Sequence, residues 1–239
     1  MTQPKALAFD VGGSVFDWKT SIHSAVKKLA AGKNLPIDHE AFAMAWRLQF
    51  FVQIKRVHDN AIPHVNADVL VQAALEVVLT EFSGLEVSDQ ERQGLLSAWH
   101  QMKSFEDFPP ALERLKEKYK VYVLTVLSFS MVADSSKVSG ITWDGIISCE
   151  FLSAYKQRPE AYLEGCAVMG LKPEEVAMVA VHPSDLNSAS KTGMKMCYAE
   201  PQLQEPDVPG LSMPPEYDNY FAWGKGLKEL ADKLCGINA

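Results

Sequence analysis

Lys5-Ala-Leu-Ala-Phe-Asp10-Val-Gly-Gly-Ser14-Val-Phe-Asp17 is the stretch on which the reading of the whole chain turns. Ala6 to Phe9 is a short apolar run with the length and composition of a buried strand. It leads into Asp10 and then two glycines, which mark a turn where the backbone bends tightly or approaches another group closely. A carboxylate just past the C-terminal end of a buried strand lies where open α/β sheets bind their ligands. Asp10 could equally be an ordinary strand-end aspartate capping a loop, and the rest of the chain must separate the two readings.

Outward from Asp17 the pattern turns helical. Ile22, Val26 and Leu29 share one helix face, and the segment stops at Gly32 and Pro36. Ala41 to Val57 forms a second helix, with Phe42, Trp46, Phe50 and Ile54 four residues apart and Arg47 beside Trp46. Ala67 to Phe82 and Asp89 to Met102 complete the set, the last with Ser88 as N-cap. No strand is evident between Phe9 and Pro109, and four helices are too many for one crossover. The expectation is an inserted helical cap over 17–102, above an α/β core made of 1–16 and 103–239.

From Pro109 onward helix and strand alternate, as in a parallel sheet with helices on its faces. Strands are expected at Val121–Val126, Gly145–Ser148, Val176–Val181 and, last, Met196–Ala199. Helices are expected at Pro110–Tyr119, Ser130–Val138, Pro159–Met169, Leu186–Thr192 and Leu227–Leu234. Glu200 to Pro215 holds five prolines and reads as an ordered surface loop or the edge of a lid.

Composition narrows the function classes. The chain has 239 residues, 47% of them hydrophobic, enough for a substantial core, and a net charge of −7 that argues against nucleic-acid binding. The apolar run Val69–Leu79 is interrupted by Gln72 and Glu76 and is too short to cross a bilayer. Four scattered cysteines without a CxxC pair or a secretory leader lead to the expectation of a soluble protein in a reducing cytoplasm. An acidic protein acting on anions needs local positive charge in its site, which draws notice to single lysines and arginines.

Four strand ends carry polar side chains in an otherwise apolar sheet: Asp10 with Ser14, Thr125 with Ser128, Lys156, and Asp185 with His182. In a parallel sheet these ends share one edge and can converge. Lys156 would hold Asp10 ionised and aimed, and Asp185 would orient Lys156 or activate water. Lys156 and Asp185 could also be plain surface charges, as most such residues are.

This ordered set resembles the haloacid dehalogenase superfamily, and within it the type II 2-haloacid dehalogenases. Phe9-Asp10-Val-Gly-Gly-Ser14-Val-Phe-Asp17-Trp is similar to FDxxGTLxDW, Ala45-Trp46-Arg47 to the cap-helix WR, and Val123-Leu-Thr125-Val-Leu-Ser128 stands at a Ser/Thr-Asn-Gly run. Ala154-Tyr-Lys156-Gln-Arg-Pro159-Glu-Ala-Tyr162 resembles AYKPxPExY, and Met178-Val-Ala-Val-His182-Pro-Ser-Asp185-Leu resembles MVAAHxxDL. The resemblance implies a parallel-sheet core with a helical cap and a metal-independent, cofactor-free substitution on a short anionic 2-haloacid. Asp10 would attack the α-carbon, and water would hydrolyse the resulting ester to a 2-hydroxy acid. Arg47 would hold halide or substrate carboxylate, Ser14 and Thr125 would donate hydrogen bonds, and Lys156 would orient Asp10 with Tyr162 in support. His182 and Asp185 would position the hydrolytic water. Gly12, Val126, Ser128 and Tyr162 fall among the substrate-binding positions, and Trp46 would be a pocket wall or a packing residue of the cap. The resemblance also raises a homodimer.

Three departures from the pattern stand out. Gly12 stands where this branch carries a bulky residue and phosphatases carry an aspartate, so the general acid of phosphoester cleavage is missing. Val126 and Leu127 replace asparagine and glycine, which puts an apolar wall where a polar donor would grip the substrate. Gln157 replaces a proline. Val181, His182 and Pro183 stand where a magnesium carboxylate would be, so too few hard oxygens are offered for that metal. The same Asp10 ester on another α-substituted acid, or a binding protein that has lost catalysis, are the alternatives.

Overall fold

A computed structural model describes residues 3–82, 85–211 and 213–236. Its centre is a six-stranded, wholly parallel sheet of β1 (Ala6–Phe9), β4 (Lys120–Thr125), β5 (Gly145–Ser148), β6 (Val176–Ala180), β7 (Lys195–Ala199) and β8 (Ala222–Gly224). The order is β5-β4-β1-β6-β7-β8, with Ala6 opposite both Lys120 and Val176. Every residue of β1 and β6 is buried, which explains their unbroken apolar runs in place of alternation. The chain builds outward from β1 through β4 to β5 and then returns to the other side of β1 for β6. That reversal makes a crevice at the C-terminal ends of β4, β1 and β6, where Thr125, Asp10 and the residues after Ala180 emerge.

Helices α5 (Phe108–Lys116) and α9 (Leu227–Leu234) pack on each other beside the sheet. Leu227, Leu230, Ala231 and Leu234 recur at helical spacing and form the buried face of α9. α6 (Phe129–Ser139), α7 (Pro159–Val168) and α8 (Pro183–Ser190) connect the strands.

Between β1 and β4 lie α1 (Trp18–Lys33), α2 (His39–His58), α3 (Ala67–Glu81) and α4 (Asp89–Leu96). Each begins at a side-chain cap: Asp17, Asp38, Asn66, and Ser88 with Glu91 as a reciprocal capping box. Phe42, Trp46, Phe50 and Ile54 line the buried face of α2, which packs against α1 and α3.

The structure corrects the sequence reading at several places. Two short strands, β2 (Phe16–Asp17) and β3 (Lys103–Ser104), pair antiparallel at the base of the helical block, although no strand was expected there. Two-residue strands have no periodicity to detect. The fourth helix ends at Leu96 and continues only as a 3-10 turn to His100, and α8 starts three residues earlier than expected, with Pro183 at its first turn. Met196–Ala199 is not the last core strand, because β8 adds to β7 on its outer side. β8 depends on a tertiary contact: a Cβ on Gly224 would stand 2.4 Å from the backbone nitrogen of Leu230, so only glycine lets α9 lie this close. No described helix is long and apolar enough to cross a membrane.

Candidate active site

Asp10 leaves β1 with its backbone N–H still bonded to the Val179 carbonyl (2.9 Å), so the carboxylate is fixed at the sheet's end. The chain then folds back on itself. Val15 and Phe16 donate to the Val11 carbonyl, and Gly13 takes a φ of 87°, a conformation that disfavours a side chain. This turn brings the Ser14 hydroxyl to Asp10 Oδ2, to which it donates at 3.0 Å, while Ser14 Oγ accepts the Val181 N–H at 3.2 Å. Lys156, from the segment after β5, donates to Asp10 Oδ1 at 3.3 Å and to Asp185 Oδ2 at 2.9 Å. Asp185 lies in the first turn of α8, where the helix dipole favours its charge, and accepts the Tyr162 hydroxyl on Oδ1 at 2.6 Å. His182, just before α8, places Nδ1 3.3 Å from Asp10 Oδ2.

Asp10, Ser14, Arg47, Lys156, His182 and Asp185 are all buried, so their charges act on one another with little screening. Burial opposes ionisation of Asp10, but Lys156, His182 and Arg47 outweigh it and hold the carboxyl well below the usual carboxylate range. Burial likewise opposes a charged Lys156, yet Asp185 and Asp10 keep its ammonium protonated above the ordinary value. Asp185 is raised, first by burial and then by the neighbouring Asp10 charge, against the pull of Lys156. Burial works against protonation of His182, but the carboxylates of Asp10 and Glu205 that face its two ring nitrogens push it up to about 10.

Arg47 reaches the same place from α2. Its Nη2 donates to the Gly12 carbonyl at 3.2 Å, and its guanidinium lies over the rings of Phe51 and Trp18. Its Nε and Nη1 are buried without a hydrogen-bond partner, donors left over for an anion. Gly12 does not leave an empty space: a Cβ there would meet Arg47 Nη2 at 3.3 Å and Leu127 Cδ1 at 3.5 Å. The guanidinium has taken the room that a bulky residue would occupy.

A cavity of about 550 Å³ opens onto this group, bordered by Asp10, Arg47, Val126, Lys156, His182 and Asp185, with Val208 to Leu211 of the proline-rich loop along one side. A larger cleft, about 1180 Å³, lies between α1 and α4, but none of the buried polar residues borders it. Among the described residues no group of three or more His, Cys, Asp or Glu side chains is placed to hold a metal ion.

Four expected residues stand elsewhere. Trp46 is wholly buried in the helical block, donating to the Val71 carbonyl at 2.9 Å and packed against Phe42 and Trp99, so it packs and does not border the cavity. Ser128 is the N-cap of α6, its hydroxyl accepting the Met131 N–H. Thr125 is spent locally too, accepting the Leu127 N–H at 3.1 Å. Tyr162 touches Asp185 and not the cavity. Thr125 ends an apolar strand and Ser128 follows it, and a hydroxyl there caps the next turn as readily as it faces a ligand.

One member of the site was missed. Glu205, from the proline-rich loop whose Ser212 lies outside the described residues, turns its side chain inward, where it is only 3% exposed. Its carboxylate accepts the Trp18 indole N–H at 2.8 and 2.9 Å and lies 3.5 Å from His182 Nε2. Charged residues in a polar loop read as solvated. The glycine pair at 12–13 signalled a close approach without saying of what.

Residues 4–180 match a protein-family model described as haloacid dehalogenase-like hydrolase. The (S)-2-haloacid dehalogenase 4A of Burkholderia cepacia is 28% identical over 208 residues, 85% of this chain and 86% of the relative. The solved structure of the defluorinating L-2-haloacid dehalogenase Rha0230 superposes with a TM-score of 0.88 at 31% identity, covering 97% of this chain and 95% of that one. An L-2-haloacid dehalogenase from Xanthobacter autotrophicus, solved with chloropropionic acid covalently bound, shares the fold at a TM-score of 0.80 and 19% identity, over 98% of this chain and 100% of that one. The match over most of the sequence, on a fold that brings its motifs to one crevice, means that this chain belongs to the haloacid dehalogenase-like hydrolases.

Proposed function

We propose that the protein hydrolyses the carbon–halogen bond of short (S)-2-haloacids through an ester on Asp10. The observation that carries this reading is a buried, ionised carboxylate held by Ser14 and Lys156, facing the unpartnered guanidinium donors of Arg47 across a small cavity. Oδ2 of Asp10 already receives Ser14 and His182, whereas Oδ1 receives only Lys156, so Oδ1 is the freer nucleophile. It attacks the α-carbon from the side opposite the halide, whose departure Arg47 assists. Water then adds to the aspartyl carbonyl carbon, releasing a 2-hydroxy acid of inverted configuration and restoring Asp10.

In this reading the helices between β2 and β3 act as a cap that delivers Arg47 to the core, supported by its contact with Gly12 and by the closing β2–β3 pair. The chemistry is metal-independent, supported by the Lys156 ammonium between the two carboxylates that a divalent ion would otherwise bridge. A cytoplasmic setting is supported by four free thiols, of which burial pushes Cys149 and Cys197 up to about 12.

Halide release from each enantiomer of 2-chloropropionate and from fluoroacetate, with EDTA present, tests the proposal. Halide from one enantiomer, insensitive to EDTA and lost in Asp10→Asn, is expected. Silence on haloacids, with magnesium-dependent release of phosphate from p-nitrophenyl phosphate, would overturn it.

A further inference from the structure

Glu205 is a buried carboxylate that the mechanism above does not use, and three other residues are adapted to it. Gly13 leaves it room: a Cβ there would stand 2.3 Å from its Cδ. Trp18 donates its indole N–H to both carboxylate oxygens. Asp207, two residues on, pins the loop to the start of α8, accepting the Ser184 N–H and hydroxyl. The loop is thereby held beside His182.

His182 stands between two acids. Nδ1 faces Asp10 Oδ2 at 3.3 Å and Nε2, otherwise unpartnered, faces Glu205 Oε2 at 3.5 Å. A neutral imidazole has one N–H, so both nitrogens can face carboxylate oxygens favourably only as imidazolium. Once Asp10 is esterified its charge is gone, and Glu205 is the acid still facing the ring. The Asp10 oxygen that His182 faces is the one that Ser14 also holds, and it becomes the ester carbonyl when Oδ1 is the nucleophile.

We propose that Glu205 is a positioning residue that keeps His182 as a charged donor, so that His182 and Ser14 form an oxyanion hole for hydrolysis of the Asp10 ester. This inference rests on the dehalogenase reading. As water bonds to Cγ its proton passes to Asp185, and the carbonyl electron pair moves onto Oδ2, facing Ser14 and His182. Collapse re-forms the carbonyl and breaks the Cγ–Oδ1 bond. Oδ1 leaves on the 2-hydroxy acid and takes the proton back from Asp185, while the new acid on Asp10 loses its remaining proton to solvent. The uncatalysed sum is ester plus water giving carboxylate, alcohol and one proton. The charged groups around His182 are Asp10 and Glu205 in contact, with Arg47, Lys156 and Asp185 in the same site.

The test is a rapid-quench reaction of the wild type, Glu205→Gln and His182→Asn with 2-chloropropionate, following halide and intact protein mass. Both variants are expected to release about one equivalent of halide and then slow, with the substrate-derived adduct accumulating. The hydrolytic step should fall roughly 100-fold in His182→Asn, on the scale of losing one oxyanion donor, and by about tenfold or more in Glu205→Gln, which keeps the shape but not the charge. In Glu205→Gln that step should also decline at lower pH than in the wild type, since its imidazolium is held less firmly. The one-equivalent burst itself shows that a variant is folded. Wild-type turnover with no adduct in either variant would overturn the assignment, as would a Glu205→Gln enzyme with normal hydrolysis and lowered KM, which would make Glu205 a counter-ion to Arg47. Absence of halide from the wild type would instead overturn the dehalogenase reading, and this one with it.

Discussion

Replacing Lys156 with methionine removes the one ammonium between two buried carboxylates, and the structure sets the scale of the effect. Lys156 Nζ is 3.3 Å from Asp10 Oδ1 and 2.9 Å from Asp185 Oδ2, with all three side chains nearly inaccessible. At an effective dielectric constant near 20, a unit charge at the first distance stabilises ionised Asp10 by about 5 kcal/mol. That corresponds to a rise of roughly three to four pK units when it is lost. Asp10 would then rise from well below the carboxylate range into it, and, with Asp185 already raised by burial, the two would share a proton as a like-charged pair whose second ionisation comes later still. Breaking a buried pair by deleting one partner also costs folding stability, about 3–5 kcal/mol. Halide release from 2-chloropropionate should fall at least about 100-fold at pH 7, and its rate should rise with pH through an ionisation that the wild type shows only in acid. A pH–rate profile from pH 5 to 9, paired with urea unfolding, reads both quantities. Lys156→Met with unchanged acid-limb kinetics and unchanged unfolding midpoint would refute the reasoning, because neither carboxylate would then depend on the ammonium.

Two further outcomes follow from the packing and the charges. His182 is raised from its ordinary 6.5 to about 10 because its contacts with Asp10 and Glu205 outweigh burial, so its stabilisation is complete below about pH 6.5 and lost as pH rises through 10. The urea midpoint should therefore fall between those values, and fall less in Glu205→Gln; a flat wild-type profile would contradict the pairing. Gly224→Ala should destabilise the fold by about 3 kcal/mol or more, since its Cβ meets backbone at Leu230 that cannot rotate away. An unfolding midpoint within error of the wild type would show that α9 can shift from β8.

Much of this protein can be read from local pattern. β1, β4 and β6 are wholly or largely buried, so their residues form unbroken apolar runs that need no neighbour to be recognised. Asp10, Lys156 and Asp185 interrupt or follow such runs with charge, and a parallel sheet carries its strand ends to one edge, so their convergence was legible before any contact was known. The helical block could be seen because α2 and α3 repeat apolar residues at helical spacing over many turns.

What only the tertiary structure decided concerns residues whose role depends on where a distant segment comes to rest. Trp46 and Ser128 carry the right chemistry in the right motif, yet one packs inside the helices and the other caps α6. β8 is three residues long and is held by its pairing with β7 and by the approach of α9 to Gly224. Glu205 lies in a proline-rich loop whose polar composition signals solvent, and it becomes part of the site through Trp18, Gly13 and His182, which are far from it in sequence. Periodicity records which face of an element is buried. It carries no record of which loop returns to cover the sheet's edge, because that is set by contacts between segments with no common repeat.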